Sequence, residues 1–473
     1  MNTSSAPYDI SPNTSARTGP SRPLAALPLI SHAHPDAVIA YRANVPILAR
    51  HFLADVRRVA AALPSGDHVL NVCSERYRFT VGFAASLLAG KVSLLPSTHT
   101  PQVIRQLTEF ARDVFCLTDN PECGIELPST LYPEIPAPAT ANREPWQIPA
   151  IDAGRLAAYV FTSGSTGTPL PYKKTWGRLL RCVQDGASRL GLLDGRSHTI
   201  VGTVPPQHMY GFESSVLLGL QTGNALCAER PFYPADICST LAAAPRPRVL
   251  VSTPVHLRAL LAAEVALPAT ELVVSATAPL SQDLARAVEE KFPTRLLEIY
   301  GSTETGQIAT RRTAQTLEWQ LWPGVSLTVK EGQAWAQGGH VEQPTPMCDV
   351  LELTDGDRFL LQGRMADLVN IAGKRSSLAY LDHHLNSIQG VLDGTFFLLD
   401  ESHASSTGVT RVAAFVVAPG LDAARLTDEL RRRIDPVFLP RPLLLVDSLP
   451  RNGTGKLPRE ALRALADRYL RPY

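Results

Sequence analysis

The chain has 473 residues and a formal charge of +1, from 45 Lys and Arg against 44 Asp and Glu. That length exceeds one ordinary core and predicts about two or three domains. The near-neutral balance gives no global attraction to nucleic acid or anionic membrane, and no apolar run reaches the roughly 18 residues of a membrane span.

Residues 1–23 are rich in Ser, Thr, Pro and Asn and lack the basic-then-apolar layout of a secretory signal, so they read as a disordered arm. Beyond them, β-rich runs at 68–73, 91–96, 113–118, 157–163, 198–204, 248–253 and 271–276 predict strands. Helical apolar spacing lies between them, as at 51–63 and 283–292. Strand and helix in alternation predict an α/β fold of parallel sheets with crossover helices. A Pro- and Ala-rich stretch, 131–154, reads as a surface connection. Near 361–375 the rhythm changes to shorter mixed elements. We therefore expect a large domain over 24–363 and a small α+β domain over 364–473. The seven cysteines show no CxxC pair and no zinc spacing, which predicts free thiols in a reducing cytoplasm.

The segment AYVFTSGSTGTPLPYKKTW (158–176) carries the most chemistry. A strand runs directly into Thr162, Ser163, Gly164, Ser165, Thr166 and Gly167. Glycines let backbone amides turn toward one point and hydroxyls add donors, so such a loop can wrap a polyphosphate. It is not the GxxxxGK[ST] loop, because no Lys follows the second Gly. A plain Ser/Gly surface turn is the bland alternative.

TSGSTGTP resembles the phosphate loop of the adenylate-forming (ANL superfamily) enzymes, and further motifs follow in that family's order across residues 158–462. His208 and Gly211 resemble its HxxG segment. ELVVSATAPLS (271–281) resembles its adenine turn, with Ala276, Thr277 and Ala278, although glycines are usual at the first two positions. EIYGSTETG (298–306) contains Tyr300, Gly301, Ser302, Thr303 and Glu304 of the Y-G-x-T-E signature. Asp349 precedes the Gly363-Arg364 pair at the family interval, and LPRNGTGKLPREAL (449–462) resembles the segment of the mobile lysine, here Lys456. The resemblance implies a large domain of parallel and mixed sheets flanked by helices, plus a small mobile C-terminal domain. It implies ATP and Mg²⁺ as cofactors, Tyr300 on the adenine, Thr303 on a phosphate, Glu304 on the metal, Asp349 and Arg364 at the ribose, and Lys456 at the α-phosphate. Ala366 and Asp367 would form the hinge and Gly373 would line a pantetheine tunnel. Ala366 replaces the usual hinge Asp or Lys, and Leu170-Pro171 replaces the lysine usual after the loop proline.

The same resemblance implies formation of an acyl-AMP with release of pyrophosphate, then transfer to a pantetheine thiol. His208, Tyr210, Gly211 and Ser214 look most like the acid-binding segment of 4-coumarate-type ligases, which suits a hydroxylated aromatic acid. Phe212-Glu213-x-Ser also resembles amino-acid-activating domains, where a carboxylate holds the ammonium. From Arg431 to the end, ten basic residues face four acidic ones, an excess that could meet an acidic acyl carrier protein or the CoA phosphate. The preferred expectation is a hydroxybenzoate–acyl-carrier-protein ligase of the aryl polyene type. An aryl-CoA synthetase, an amino-acid-activating domain and a non-catalytic adenylate-binding protein are the alternatives.

Overall fold

A computed structural model describes residues 25–96, 98–133, 146–162, 170–263, 265–364, 368–371, 374–398, 412–452 and 455–470. The expected N-terminal arm, the loop from Ser163 to Gly167, the hinge at Ala366 and Asp367, and Gly373 lie outside the described residues. The chain begins β1 (Ala26–Pro28), β2 (Val38–Arg42), β3 (Val45–Leu48), α1 (Ala49–Ala62), β4 (His68–Asn71), α2 (Arg76–Leu88), β5 (Val92–Leu95) and α3 (Pro101–Phe110). It goes on with β6 (Phe115–Thr118), β7 (Ser129–Leu131), β8 (Ala150–Asp152), β9 (Leu156–Thr162), β10 (Leu170–Thr175) and α4 (Trp176–Leu190). Next come β11 (Thr199–Gly202), α5 (Met209–Gly211), a π-helical turn (Phe212–Leu217), α6 (Leu218–Gln221), β12 (Ala225–Cys227) and α7 (Pro234–Ala243). Then follow β13 (Arg248–Ser252), α8 (Pro254–Ala262), β14 (Leu272–Ser275), α9 (Gln282–Lys291), β15 (Arg295–Ser302), β16 (Gly306–Arg311) and β17 (Trp319–Leu321). The seven strands and two helices expected from the sequence are all present, within two residues at either end.

Two sheets organise this part. One has the order β10-β9-β5-β4-β6-β7 and is parallel apart from its edge strand β10. The other has eleven strands. Its middle, β15-β14-β13-β11-β12-β2, is parallel. One buried cluster contains side chains of both sheets, with Phe83 of α2 packed 4.8 Å from Phe212 and 6.4 Å from Trp176 of α4. The near-continuous apolar runs of β11, β13 and β14 follow from this: strands covered on both faces have no solvent side to alternate with.

Helix ends carry readable chemistry. The Thr175 side chain accepts from the Arg178 amide at the start of α4, and Gly191 closes that helix in the left-handed region at φ +75°. Ser281 caps α9 in the same way, accepting from the Leu284 amide.

The eleven-stranded sheet is extended antiparallel by β16 and β17, and then by β22 (Arg358–Arg364) and β21 (Asp349–Leu353). Between β17 and β21, a separate antiparallel sheet forms from β18 (Val325–Lys330), β19 (Gln333–Gly338) and β20 (Val341–Pro346). The last elements are β23 (Leu368–Ile371), β24 (Lys374–Ser377), α10 (Leu378–Asn386), β25 (Asp393–Leu398), β26 (Val412–Val417), α11 (Ala423–Arg431), β27 (Leu443–Leu445) and α12 (Arg459–Leu470). Alternation along β26 divides their core: Ala414 and Val416 pack with Leu385 and Leu426, while Phe415 packs with Leu462 and Ala466 of α12. Among the described residues, no helix is long and apolar enough to cross a membrane.

Candidate active site

Four neighbouring parallel strands, β15, β14, β13 and β11, lead at their carboxyl ends into the motif segments Tyr300–Ser302, 276–278, Thr253 and, six residues after β11, His208. The carboxyl edge of an open parallel sheet is where such folds hold ligands, because loops diverge there and leave a crevice. In the other sheet, β9 likewise ends at Thr162, where the small-residue loop begins.

Tyr300 is half-buried, with ring contacts to Trp319 at 5.4 Å and Phe359 at 5.6 Å. Its hydroxyl donates to Asp349 Oδ2 at 2.5 Å. Asp349 and Arg364 are register partners across β21 and β22, so two residues far apart in sequence stand side by side. The Arg311 guanidinium lies 4.2 Å over the Trp319 ring and pairs with the buried Glu298 at 2.8 Å. Glu298 also accepts from the Thr313 hydroxyl at 2.7 Å and from the Leu280 amide at 3.1 Å, which ties the adenine turn to the aromatic wall. Sequence reasoning missed Arg311, Trp319 and Phe359, since only the antiparallel extension of the sheet brings them to Tyr300, and it gave no role to Glu298, which precedes Tyr300 on β15 itself.

Thr277 adopts φ +79°, a conformation that favours glycine. The tight shape of this turn is therefore kept although glycine is replaced. Ala276 beside it is buried and Ala278 half-buried. Gly301 has no room for a side chain, because an added Cβ would lie 2.3 Å from the Gly306 carbonyl oxygen. The turn between them bonds to itself: the Ser302 and Thr305 hydroxyls are 3.1 Å apart, and each hydroxyl accepts from the other residue's amide. Thr303 and Glu304 occupy the tip, both half-buried.

Gly211 is equally constrained, since a Cβ there would sit 2.1 Å from the Pro205 carbonyl oxygen. This close approach sets the turn that carries His208 at the start of α5. Among the described residues, His208 Nδ1 is buried without a hydrogen-bond partner. Burial, and then the charge of Lys456, lower the imidazole to about 4, so it is neutral at ordinary pH. The Lys456 charge therefore reaches the acid-binding segment across some 250 residues of sequence.

The lysine loop is held on both sides. Arg451 clamps Asp393 at 2.6 and 2.7 Å and donates to the Gly455 carbonyl at 2.9 Å. Asn452 Oδ1 accepts from the Lys456 amide at 2.9 Å. Gly455, at φ +78°, approaches α8 so closely that a Cβ would meet Val255 at 2.8 Å.

Tyr210 is buried and its hydroxyl donates to the Val274 carbonyl at 2.9 Å, so the ring forms a fixed wall. Ser214 is buried and accepts from the Gln307 side-chain amide at 2.8 Å. A hydroxyl that accepts in this way still has its own proton to donate. Gln307 carries no motif that could have marked it. Glu213 differs from the expectation drawn from the amino-acid-activating pattern: it is buried beside Lys174, and the Cys182 thiol donates to its Oε1 at 3.4 Å. Burial raises Glu213 to about 7, so the charged form a substrate ammonium would need is disfavoured there.

The C-terminal basic excess also shrinks in three dimensions. Arg431 pairs with Asp428, Arg432 and Arg433 with Glu429, and Arg451 with Asp393, carboxylates that all lie before the counted stretch. Elsewhere Asp194, His198 and Glu271 approach as metal ligands would, but the Arg196 guanidinium bridges Asp194 at 2.6 Å and Glu271 at 2.5 Å.

This fold, with an aromatic cluster beside a carboxylate and a lysine-bearing loop seated against α8, fits a nucleotide-dependent acid-activating class. Residues 31–358 match the AMP-binding enzyme family, and the chain belongs to that family. It is 31% identical over 274 residues to a 4-coumarate–CoA ligase of Rhodobacter capsulatus, covering 58% of this chain and 66% of that protein. It is 25% identical over 362 residues to a 4-chlorobenzoate–CoA ligase of Arthrobacter sp., covering 67% of each. The O-succinylbenzoate coenzyme A synthetase of Bacillus subtilis, solved with ATP and a magnesium ion, superposes with a TM-score of 0.77 at 17% identity, over 91% of this chain and 97% of that one. Enzymes of this family use ATP with Mg²⁺. The donor set here fits both: a half-buried carboxylate at the tip of a self-bonded turn for the cation, and an aromatic ring hydrogen-bonded to a carboxylate for the nucleotide.

Proposed function

We propose that this chain joins an aromatic carboxylic acid to AMP, with release of pyrophosphate, and then passes the acyl group to the thiol of CoA. The observation that carries the reading is the Lys456 loop: it is clamped by Arg451 and Asp393, seated on Val255, and close enough for its charge to act on His208. A protein that only bound adenylate would need no cation delivered there.

The carboxylate nucleophile and the α-phosphate are both anionic, so catalysis is a matter of charge and alignment. Lys456 neutralises the α-phosphate as the acid oxygen attacks, and Arg364 and Asp349 fix the ribose. Bound magnesium, held by Glu304, supplies further positive charge to the phosphates. The amides and hydroxyls from Thr162 to Gly167 wrap the leaving pyrophosphate. Neutral His208 lies where the acid enters and adds no charge of its own. Tyr210 walls the aromatic ring, and Ser214, aligned by Gln307, donates to a ring substituent such as a phenol. Residues 24–363 form the adenylating domain in this reading. Residues 364–473 form a smaller domain that swings about Ala366 and Asp367, bringing Gly373 to the pantetheine. A cytoplasmic setting suits the free thiols, ATP and CoA.

CoA is preferred over a carrier protein because relatives of this chain are named as CoA ligases, and Arg431, Arg432, Arg433 and Arg451 of the basic C-terminal run are already paired with carboxylates. The test is pyrophosphate release across hydroxybenzoates, cinnamates, fatty acids and amino acids, followed by mass spectrometry of CoA and of holo-carrier protein offered together. Aromatic acids should lead the panel by at least tenfold and the acyl group should appear on CoA. Acylation of the carrier protein alone would reassign the acceptor, and a lead by amino acids would overturn the substrate class.

A further inference from the structure

Lys174 is the fifth residue of β10, the strand that leaves the small-residue loop. Strand alternation sends Lys173 to solvent and Lys174 inward, and Lys174 is 3% exposed. An ammonium so deep costs several kcal/mol unless it is paired and hydrogen-bonded, so its surroundings show what it is for. It lies beside Glu213, itself buried on the π-helical turn that carries Ser214. Its Nζ donates to the backbone carbonyl of Glu304 at 3.4 Å. On the far side, Gly306 passes so close to Glu213 that a Cβ there would stand 3.1 Å from Oε1. The Cys182 thiol of α4 bridges Glu213 Oε1 at 3.4 Å and the Gln307 carbonyl at 3.7 Å. The buried lysine and glutamate thus join the strand that leaves the small-residue loop, the turn that carries Ser214, and the tip and far end of the turn that carries Thr303 and Glu304.

We propose that Lys174, balanced by Glu213, is a positioning residue that fixes the Glu304 turn for the metal–nucleotide complex from beneath. It acts through the Glu304 backbone and touches neither substrate nor metal. The motif residues Ser302 and Thr305 close the turn on itself, but they do not anchor it to the rest of the fold. Lys174 supplies that anchor, and the placement of Glu213 makes the buried cation tolerable. The inference rests on the reading of Glu304 as the metal-facing carboxylate.

The experiment compares wild type, Lys174→Met and the Lys174→Met/Glu213→Gln double variant, in which the two buried charges leave together. Three quantities are read: Mn²⁺ affinity by electron paramagnetic resonance with a non-hydrolysable ATP analogue present, thermal midpoint, and pyrophosphate release. Mn²⁺ affinity should fall about tenfold in both variants, while the thermal midpoint, lowered in the single variant, recovers in the double. If the double variant recovers Mn²⁺ affinity along with stability, or if Lys174→Met binds Mn²⁺ like wild type, the positioning role is overturned. Failure of the double variant to fold would likewise overturn it and assign the pair to the core. Wild type that binds Mn²⁺ with the nucleotide but releases no pyrophosphate with any acid would instead sink the functional reading on which the inference stands.

Discussion

Gly211 and Lys456 show how much can rest on one residue. Gly211→Ala would drive a methyl group into the Pro205 carbonyl, 2.1 Å away, and backbone cannot yield as a side-chain tip can. Overpacking of this kind costs about 1–3 kcal/mol, and it would also shift His208, which starts the same short helix. We expect a lower thermal midpoint and a raised KM for the acid, checked by differential scanning calorimetry and initial-rate kinetics. Lys456→Ala has the opposite signature. Its side chain is exposed and supports no core, so the midpoint should hold. Removing one contact to developing charge costs roughly 3–4 kcal/mol, so pyrophosphate release should fall about 10²–10³-fold. ATP binding by calorimetry should stay within a few-fold of wild type. Undiminished pyrophosphate release would sink the assignment.

Between elements, the aromatic cluster around Tyr300, proposed above to face the adenine, depends on the antiparallel extension of the large sheet. Arg311 of β16 stacks on Trp319 of β17 while holding Glu298 of β15, and Glu298 in turn holds the Leu280 amide after β14. Arg311→Met would leave Glu298 buried and without its cation, which costs about 3–5 kcal/mol. The expected outcome is a loss of that size in urea unfolding together with a severalfold rise in the KM for ATP. A stability loss with an unchanged KM for ATP would show that the stack supports the sheet and not the nucleotide. The motif strand β15 is legible from its Y-G-x-T-E residues, but this support is not. Trp319 lies on a three-residue strand and Phe359 at the opposite end of β22 from its Gly-Arg pair, and cross-strand register alone brings them to Tyr300.

Across the whole molecule, the histidines lowered furthest by burial, His32, His208 and His340, set the response to acid. Burial lowers His32 and His208 to about 4 and His340 to about 3, so all three are neutral in the folded chain at pH 7. Unfolded, each would take up a proton near pH 6.5. Between about pH 6.5 and 4 the unfolded state binds more protons, so stability present above that window is lost as pH falls through it. Glu213 works in the other direction. Burial raises it to about 7, so its contribution is present in acid and is lost as pH rises from about 4.5 to 7. The three histidines outweigh the one carboxyl, and the thermal midpoint should fall steadily from pH 6.5 to 4.5. His32→Gln, which bears on no proposed substrate, should flatten that slope. An unchanged slope would mean that His32 is protonated in the fold.

The alternation of apolar strands and amphipathic helices by itself determined the α/β fold, because burial on both faces and periodicity are local properties. The order of small-residue loop, Y-G-x-T-E turn, Asp, Gly-Arg and terminal lysine marked the AMP-binding enzyme family by resemblance, and the family match bears that out. Only tertiary structure decided which residues stand behind those motifs. Lys174 and Glu213 read in sequence as a spare loop lysine and a possible ammonium ligand, and folding makes them partners in the core. Arg451 reads as part of a basic C-terminal run until Asp393, 58 residues earlier, comes beside it. Pairing of charges depends on distance in space, and the linear order of a chain does not contain that distance.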